Sequence, residues 1–517
     1  MHPLARLDHA HVWHPFTQMR DWLKAEPIVV VSGRGATLTD ARGLVYLDGN
    51  SSIWTNLHGH NHRTINAAIR AQLKKIAHSS ALGLANEPAS LLAAELVRLA
   101  NPRPSNLRAA QGRTQEAGWP QAPIPHRRLA KVFLSDDGST AMEVALKLAY
   151  EFARRTGRSR KPRFLGLTGA YHGDTLGAVS LGHIDLFHKS WGPLLFESDS
   201  VMAPYCYRCP YNRARPERAD AREYRRCNWE CLGRVEQKFA GRKRRGDPYA
   251  AMVIEPLIQG AAGMIPQPSG WLARVAAIAR GNGAQFIADE VMTGFGRTWI
   301  STQAQAGGKA RKREGEEHSP AHSSAFSPAW LFACHREGVQ PDFLVLAKGL
   351  TGGYLPMGAT LTTQAVFEAF LGDYEEFKTF FHGHSYTANQ LGAAAALASL
   401  EVLQDPATMV TRQRLEEALR DELHSLWRLP NVGDIRQVGV TVGVELVRDW
   451  RTREPFALRE RAGSRVCQAM AKRRVLTRPI GNVVVLIPPY CTTRLQVQTL
   501  VGALRGGIDE VFGKRRL

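Results

Sequence analysis

The sequence predicts an α/β fold with a mostly parallel central sheet in a large domain and a smaller α+β domain beside it. Short apolar runs alternate with helical patterns between residues 131 and 348, which is typical of parallel sheets covered by helices on both faces. Beyond residue 386 the pattern changes to one long helix followed by separate strands. The length of 517 residues allows one large domain with a satellite.

The predicted elements follow one another in a regular order. TLTDARGLVYLDGN predicts a hairpin with Asp40 to Gly43 as its turn, and helical periodicity covers residues 64–100. The predicted strands of the large sheet are KVFLSD, RFLGLTG, AAMVIEP, QFIADE and PDFLVLAKG, and the helices between them include DGSTAMEVALKLAYEFARR and WLARVAAIARGNG. A small-residue helix, NQLGAAAALASLEVL, opens the C-terminal portion, whose strands include GVTVGVELV and NVVVLIPP.

These patterns divide the chain into three parts. We expect residues 1–60 to form an N-terminal arm and part of the small domain, residues 61–386 the large domain, and residues 387–517 the rest of the small domain, which thus comes from the N- and C-terminal parts. Segments without periodicity interrupt the large domain as predicted exposed insertions, at about 103–128, 206–245 and 303–328.

Composition and charge exclude several classes of protein. The chain is 44% hydrophobic and 22% charged, without a run of about 18 apolar residues or a signal-peptide core, so we expect a cytoplasmic protein with no membrane partner. The net charge is +20, but residues 103–131 hold a surplus of five positive charges and residues 206–250 a surplus of seven. Solvated arginine-rich loops, including GRKRRG at 241–246, account for this surplus, and no nucleic-acid partner is expected.

Candidate ligand-binding residues lie where the predicted strands end, because parallel α/β sheets bind ligands beyond the C-terminal ends of their strands. After KVFL, the turn at Gly138 and Ser139 would direct free N–H groups and a hydroxyl at a phosphate, although an ordinary capped helix start fits the same residues. After RFLGLT, Tyr171 could stack on a flat ring or pack within its own loop.

Two charged residues end later strands. Asp289 closes QFIA, where a buried carboxylate needs a cation such as a protonated ring nitrogen, unless it caps the following helix. Lys348 closes FLVLA; a desolvated lysine there has a lowered pKa and can form a Schiff base, whereas a solvated strand-end lysine has no such role. A phosphate cradle, a stacking ring, a carboxylate and a reactive lysine together match the needs of pyridoxal 5′-phosphate.

Longer motifs carry a family resemblance. FIADEVMTGFGRTW, PDFLVLAKGLTGGYLPMGA, GAYHGDTLGAVSLG and IEPLIQGAAGM resemble the class III (omega-type) aminotransferases, which have the type I fold of pyridoxal-phosphate enzymes. HVWHPFTQM, DGNSSIWTNLHGHNH, FFHGHSYTANQLG and LTRPIGNVVVLIPPY are similar to the branch that aminates 8-amino-7-oxononanoate to 7,8-diaminononanoate in biotin synthesis. The resemblance covers nearly the whole chain outside the predicted insertions.

The resemblance implies which residues hold the cofactor. Lys348 would bind it as a Schiff base and move protons, Asp289 would keep the pyridine nitrogen protonated, and Tyr171 would cover the ring. The phosphate would be held by Gly138 and Ser139, and, across a homodimer with shared active sites, by the loop that contains His384 and Ser385. The family motif usually has threonine where this chain has Ser385.

The resemblance also implies the substrate contacts. Arg478 would pair with the carboxylate of the oxo acid through its planar guanidinium. Phe16 stands where many relatives have tyrosine, so a hydroxyl contact to substrate is absent. The remaining contacts would come from Trp54, Tyr171, Lys348 and Gly383.

The resemblance leaves the amino donor and some alternatives open. S-adenosylmethionine serves most enzymes of this branch and is expected here, and lysine serves a minority. Ser51-Ser52-Ile53-Trp54 departs from the Ser-Ser-Trp-Trp that is common among S-adenosylmethionine users. The alternatives are another omega-type aminotransferase, acting on ornithine, GABA or a diamine, and a binding protein that keeps the fold without turnover.

Four of the seven cysteines form a separate candidate site. They are spaced as C-x2-C and C-x3-C, which would suit tetrahedral zinc, and free thiols in an arginine-rich loop are the alternative. The residues concerned are Cys206, Cys209, Cys227 and Cys231.

Overall fold

The structure is a computed structural model that describes residues 1–103, 106, 127–299 and 331–513. Two of the predicted insertions, at about 103–128 and 303–328, lie almost entirely outside the described residues. None of the described helices combines the length and the apolar character that a membrane span requires.

Strands and helices alternate through most of the described chain. The strands are β1 (Val30–Arg34), β2 (Thr37–Asp40), β3 (Val45–Asp48), β4 (Leu129–Ser135), β5 (Arg163–Leu167), β6 (Asp199–Val201), β7 (Tyr249–Ile254), β8 (Ile258–Gln259), β9 (Ile265–Pro266), β10 (Gln285–Asp289), β11 (Phe343–Leu346), β12 (Gly358–Thr363), β13 (Val432–Val438), β14 (Thr441–Asp449), β15 (Glu454–Pro455), β16 (Val475–Leu476), β17 (Pro479–Ile480) and β18 (Val483–Leu486). The α-helices are α1 (Pro3–His11), α2 (Met19–Trp22), α3 (Arg63–Lys75), α4 (Glu87–Leu99), α5 (Gly138–Arg155), α6 (Leu176–Ser180), α7 (Asp185–His188), α8 (Glu230–Arg244), α9 (Trp271–Gly281), α10 (Gln364–Glu368), α11 (Gln390–Gln404), α12 (Pro406–His424), α13 (Ala462–Lys472) and α14 (Arg494–Phe512).

A seven-stranded sheet forms the centre of the large domain, in the order β4-β12-β11-β10-β7-β5-β6. Neighbours from β11 to β6 pair in parallel, and β12 runs antiparallel to both β4 and β11. The predicted mostly parallel sheet is therefore confirmed, with β12 as the exception within it. Because the other six strands point the same way, the ends of β4, β5, β7, β10 and β11 lie on one edge of the sheet, where ligands bind in such folds.

Helices bury both faces of this sheet. Every residue of β7, β10 and β11 is buried, as expected for strands covered on both sides. Helix α5 begins with a capping box in which Asp137 accepts the N–H of Thr140 at 2.8 Å and the Thr140 hydroxyl accepts the N–H of Asp137 at 2.9 Å. The apolar face of α5 packs with Ile287, Phe343 and Val345 of the sheet in one buried cluster.

The two ends of the chain meet in smaller sheets. Strands β2 and β3 form the predicted antiparallel hairpin, and β16 from the C-terminal part pairs in parallel with β3. A five-stranded antiparallel sheet contains β13, β14, β15, β17 and β18. The N-terminal residues thus share a sheet with the C-terminal residues.

Residues 206–245 differ from the exposed insertion predicted for them. Helix α8 connects β6 to β7, and the side chains that it buries include Leu232, Val235 and Phe239. The prediction of a loop at GRKRRG is wrong for Gly241 to Arg244, which form the last turn of α8, although Lys243 and Arg244 are solvent-exposed as predicted. Arg242 is buried and its guanidinium lies 2.6 Å from Asp199, because carboxylates on neighbouring segments compensate its charge.

Candidate active site

A cavity of about 700 Å³ opens at the edge of the large sheet where the parallel strands end. This volume is in the range of small-molecule sites. Its walls contain residues that follow β4, β5, β7, β10 and β11, together with a turn from the N-terminal part. The predicted site residues that the fold brings into this cavity are Trp54, Gly138, Ser139, Tyr171, Asp289 and Lys348.

Lys348 lies two residues beyond β11, in the wall of the cavity. Its backbone has a φ of +43°, in the left-handed region that costs a residue with a side chain about 1–3 kcal/mol, a strain common at functional sites. The Lys348 Nζ lies 5.0 Å from the centroid of the Trp54 ring. Burial lowers the pKa of Lys348, although the charges of Asp289 and Glu255 oppose this effect. A lysine with a lowered pKa has the free amine that attack on a carbonyl requires.

Asp289 and His172 form a buried pair on the cavity wall. The Oδ2 of Asp289 lies 2.6 Å from the Nδ1 of His172, and the Oδ1 of Asp289 accepts the N–H of Val291 at 3.1 Å. Burial acts to lower the pKa of His172, but the hydrogen bond and charge of Asp289 outweigh it and raise the pKa. Asp289 therefore faces a cation, and a carboxylate in this place is suited to bind a protonated ring nitrogen.

The N-terminus of α5 forms the end of the cavity suited to an anion. A Cβ on Gly138 would lie 2.7 Å from Val291 Cγ1, so a side chain cannot be added there without displacing Val291. The Ser139 hydroxyl donates to Thr175 Oγ1 at 2.9 Å and accepts the N–H groups of Asp174 and Thr175 at 3.0 and 2.9 Å. Ser139 thus joins the start of α5 to the loop after β5, and the free N–H groups of the first turn remain available to a phosphate.

Aromatic side chains surround Tyr171, which lines the cavity. The Tyr171 hydroxyl donates to Asp174 Oδ2 at 2.6 Å, and its ring stacks on His188 with a centroid separation of 6.1 Å. Phe16 and Phe187 each contact the Tyr171 ring edgewise at 6.4 Å. Burial and the Asp174 hydrogen bond raise the pKa of Tyr171, so its hydroxyl stays protonated at neutral pH. Phe16 is 60% exposed, which leaves it available to a ligand.

The turn Ser51–Trp54 places its tryptophan over the lysine amine. All four residues have positive φ, between +45° and +68°, so the turn is left-handed. The Ser51 hydroxyl donates to the carbonyl of Ile487 at 2.6 Å, and the Ser52 hydroxyl donates to Asp48 Oδ2 at 3.0 Å. A left-handed turn costs roughly 1–2 kcal/mol per residue, and these hydrogen bonds oppose that cost.

The other predicted contacts do not line this cavity. His384 lies near it, with its Nδ1 3.1 Å from the Asp136 carboxylate, and the Ser385 carbonyl accepts a hydrogen bond from His78. Gly383 precedes them in the same loop, and Arg478 is exposed between β16 and β17. Their roles toward the phosphate of a second subunit and toward a substrate carboxylate remain predictions.

The role of the four cysteines as zinc ligands stays a prediction. Across the part of the chain that the structure describes, no group of three or more histidine, cysteine or acidic side chains is arranged to hold a metal ion. All four cysteines belong to that part and are free thiols. Burial raises the pKa of Cys206 to about 12 and that of Cys231 to about 11.

Five charged residues of the cavity were missed as site residues, and the two buried ones are Glu255 and His172. Glu255 follows β7 directly, and the rule that identified Asp289, a charged side chain at the end of an apolar strand, would have identified it as well. His172 stands beside Tyr171 in the motif GAYHGD, where only the tyrosine was assigned a role. The hydrophobic lining of the cavity by Val291 and Met292 was also missed.

Comparison with known proteins places these residues in a family context. A family model described as aminotransferase class III matches residues 19–301 and 329–507. An adenosylmethionine-8-amino-7-oxononanoate aminotransferase from Nitratidesulfovibrio vulgaris is 45% identical over 510 residues, which cover 98% of this chain and 82% of the relative. The enzyme of the same name from Geobacter sulfurreducens is 43% identical over 506 residues, covering 98% of this chain and 97% of the relative.

Solved structures show the same similarity. The adenosylmethionine-8-amino-7-oxononanoate aminotransferase from Methanocaldococcus jannaschii superposes with a TM-score of 0.81 at 35% identity, covering 98% of this chain and 99% of that chain. An (S)-enantioselective omega-transaminase from Thermomicrobium roseum superposes with a TM-score of 0.79 at 27% identity, covering 98% of each chain. The fold class predicted from the sequence is thereby confirmed.

Proposed function

The chain belongs to the class III aminotransferases, and we propose that it transfers an amino group to 8-amino-7-oxononanoate, giving 7,8-diaminononanoate, with pyridoxal 5′-phosphate as cofactor and S-adenosylmethionine as donor. The observation that carries the proposal is the presence of Lys348 and Asp289 in one cavity, at the ends of the neighbouring strands β11 and β10. The names of the relatives indicate the substrate and the donor.

The residues of the cavity fit pyridoxal 5′-phosphate. The buried amine of Lys348 would hold the cofactor covalently, Asp289 would face the ring nitrogen, and the first turn of α5 would hold the phosphate. The space at Gly138, which a Cβ would close against Val291, fits the close approach of a ligand to the backbone. When bound, the cofactor supplies an electron sink for negative charge that develops at the reacting carbon.

The side chains around the cavity would control the protons. With its lowered pKa, Lys348 would accept a proton at Nζ from the donor carbon and deliver it to the C4′ carbon of the cofactor. Trp54 would limit access of water to this amine, because its ring lies over it. The Tyr171 hydroxyl stays protonated and donates a hydrogen bond to Asp174. Tyr171 would therefore orient ligands rather than act as a base.

The complete site needs a second subunit in this proposal. We infer a homodimer in which the Gly383 to Ser385 loop of one subunit approaches the phosphate end of the other, and in which Arg478 binds the carboxylate of the oxo acid. Support comes from the exposure of Phe377, Phe381 and Tyr386, which are 65%, 76% and 61% exposed in the single chain.

The test is turnover with defined donors. The purified protein, loaded with pyridoxal 5′-phosphate, is incubated with 8-amino-7-oxononanoate and either S-adenosylmethionine or lysine, and diaminononanoate is quantified by mass spectrometry. The proposal predicts product with S-adenosylmethionine. Product with lysine alone would change the donor and retain the reaction, and absence of product with both would contradict the proposed function.

A further inference from the structure

Glu255 is a buried carboxylate in the cavity, directly after β7, the strand next to the one that carries Asp289. Its side chain lines the cavity and is 7% exposed. Its Oε2 accepts the N–H of Gly260 at 2.8 Å, and its Oε1 accepts the N–H of Tyr171 at 3.3 Å. Backbone groups from two loops therefore hold the carboxylate in one position. Among the described residues, no lysine or arginine forms an ion pair with it.

Three charged groups face this carboxylate. They are His172, Asp289 and the amine of Lys348. Burial raises the pKa of Glu255 to about 7; the His172 charge acts in the opposite direction and the Asp289 charge in the same direction. The carboxylates of Asp289 and Glu255 both raise the pKa of His172. The charge of His172 in turn lowers the pKa of His183 and of His188. Its Nε2 is buried without a hydrogen-bond partner among the described residues.

A count of the charges shows what Glu255 can do. His172, Asp289 and Glu255 together hold one cation and two carboxylates, and the lysine amine beside them, whose pKa the charge of Arg297 also lowers, is the group that would bind the cofactor. When the cofactor takes up that amine, its protonated ring nitrogen becomes the second cation of the cluster. Asp289 alone cannot neutralise both His172 and the ring nitrogen, and an unbalanced charge in a buried site is costly.

We propose that Glu255 is a positioning residue for the ring nitrogen: its carboxylate balances the charge of His172, so that the charge of Asp289 remains available to the ring. This inference rests on the cofactor assignment within the proposed function. It assigns no proton transfer to Glu255, which acts through His172 and Asp289 instead of on the substrate.

The proposal can be tested by non-covalent binding. Pyridoxine 5′-phosphate has the ring nitrogen and the phosphate but no aldehyde for Lys348, so its affinity for the apoenzyme reports the ring and phosphate contacts alone. Binding is measured by calorimetry for wild type and Glu255→Gln at about pH 6 and about pH 8, on either side of the pKa of Glu255. We expect Glu255→Gln to weaken binding about tenfold at the higher pH, where Glu255 is ionised, and much less at the lower pH.

Glu337→Gln is the matched control. Glu337 is also buried and accepts two backbone N–H groups, from Gly270 at 2.8 Å and Ala273 at 3.1 Å, but it does not line the cavity. We expect this variant to bind pyridoxine 5′-phosphate as wild type does at both pH values. Glu255→Asp keeps the charge, and we expect it to restore the pH dependence of binding.

The contradicting results are distinct. Equal affinity of Glu255→Gln and wild type, or a loss of the same size at both pH values, would show that Glu255 only holds its two loops, and would overturn the proposal. If Glu255→Gln does not fold, Glu255→Asp is measured instead. The proposal is then overturned if the affinity of Glu255→Asp for pyridoxine 5′-phosphate does not change between pH 6 and pH 8 as that of wild type does. Absence of turnover with 8-amino-7-oxononanoate would contradict the proposed function and leave this binding result standing.

Discussion

Single residues determine the electrostatics of the site. The 2.6 Å contact between His172 and Asp289 is buried, and it joins a cation to an anion where water cannot screen the two charges. Lys348, by contrast, loses part of its tendency to hold a proton because it is buried. In the same low-dielectric environment, the cation of His172 is stabilised by its partner Asp289, whereas the cation of Lys348 is destabilised.

The pair between His172 and Asp289 makes a prediction for stability. The folded-state pKa of His172 is raised, so its contribution is fully present below the unfolded value of 6.5 and is lost as the pH rises through the folded value. We expect His172→Gln to lower the free energy of unfolding of the apoenzyme by about 1–3 kcal/mol at acid pH and by less at alkaline pH. Urea unfolding across the pH range measures this, and a loss that grows with pH would contradict the assignment.

At the scale of elements, strain and capping place the side chains. The first turn of α5 is fixed by its capping box, which leaves its N–H groups directed at the cavity. The left-handed turn Ser51–Trp54 has no glycine, although glycine is the residue that tolerates this conformation. Non-glycine residues in this conformation are strained. We interpret this strain as the cost in stability of holding the Trp54 ring over Lys348.

A substitution in this turn tests that interpretation. Ile53 is 45% exposed with a φ of +62°, so its β-branched side chain contributes strain and little burial. We expect Ile53→Gly to raise the free energy of unfolding by about 1 kcal/mol, measured by urea denaturation. Leu73→Gly is the control, because Leu73 is 57% exposed in the right-handed helix α3 and the same kind of change there should cost about 1 kcal/mol. If Ile53→Gly lowers the free energy of unfolding as Leu73→Gly does, the interpretation that Ile53 is strained is wrong.

At the scale of the whole molecule, the segment before α8 connects the large domain to the C-terminal sheet. Arg208 donates to Glu445 of β14 at 2.7 Å. Arg218 donates to the carbonyls of Leu429 and Val432, both at 2.6 Å. Charged residues that suggested a solvated loop therefore bind carbonyls and carboxylates of another part of the fold.

The loss of one such contact should affect the whole chain. We expect Arg218→Ala to lower the free energy of unfolding by about 2–3 kcal/mol, because it leaves the partly buried carbonyls of Leu429 and Val432 without this charged donor. Differential scanning calorimetry measures this as a lower melting temperature. Arg215→Ala, on the exposed surface of the same segment, is the control and should change the melting temperature little. Equal melting temperatures for the two variants would show that the segment does not stabilise the fold.

The sequence predicts the large sheet well and the charged segments poorly. Strands β7 and β11 are apolar, and β10 is apolar between Gln285 and Asp289, so their ends could be located and the residues there identified the cavity. The role of Arg242 could not be predicted, because its partner Asp199 is far away in the sequence. The left-handed turn Ser51–Trp54 could not be predicted either, since no residue type in it favours that conformation.

The central claim is that the amine of Lys348 holds the cofactor, and reductive trapping tests it most directly. The protein is loaded with pyridoxal 5′-phosphate, reduced with borohydride and digested, and the modified peptide is identified by mass spectrometry. We expect the phosphopyridoxyl group on Lys348 and its absence from the Lys348→Ala variant, while Lys472→Ala, on the exposed surface of α13, is modified at Lys348 as wild type is. A stoichiometric modification of another lysine, or of none, would contradict the account.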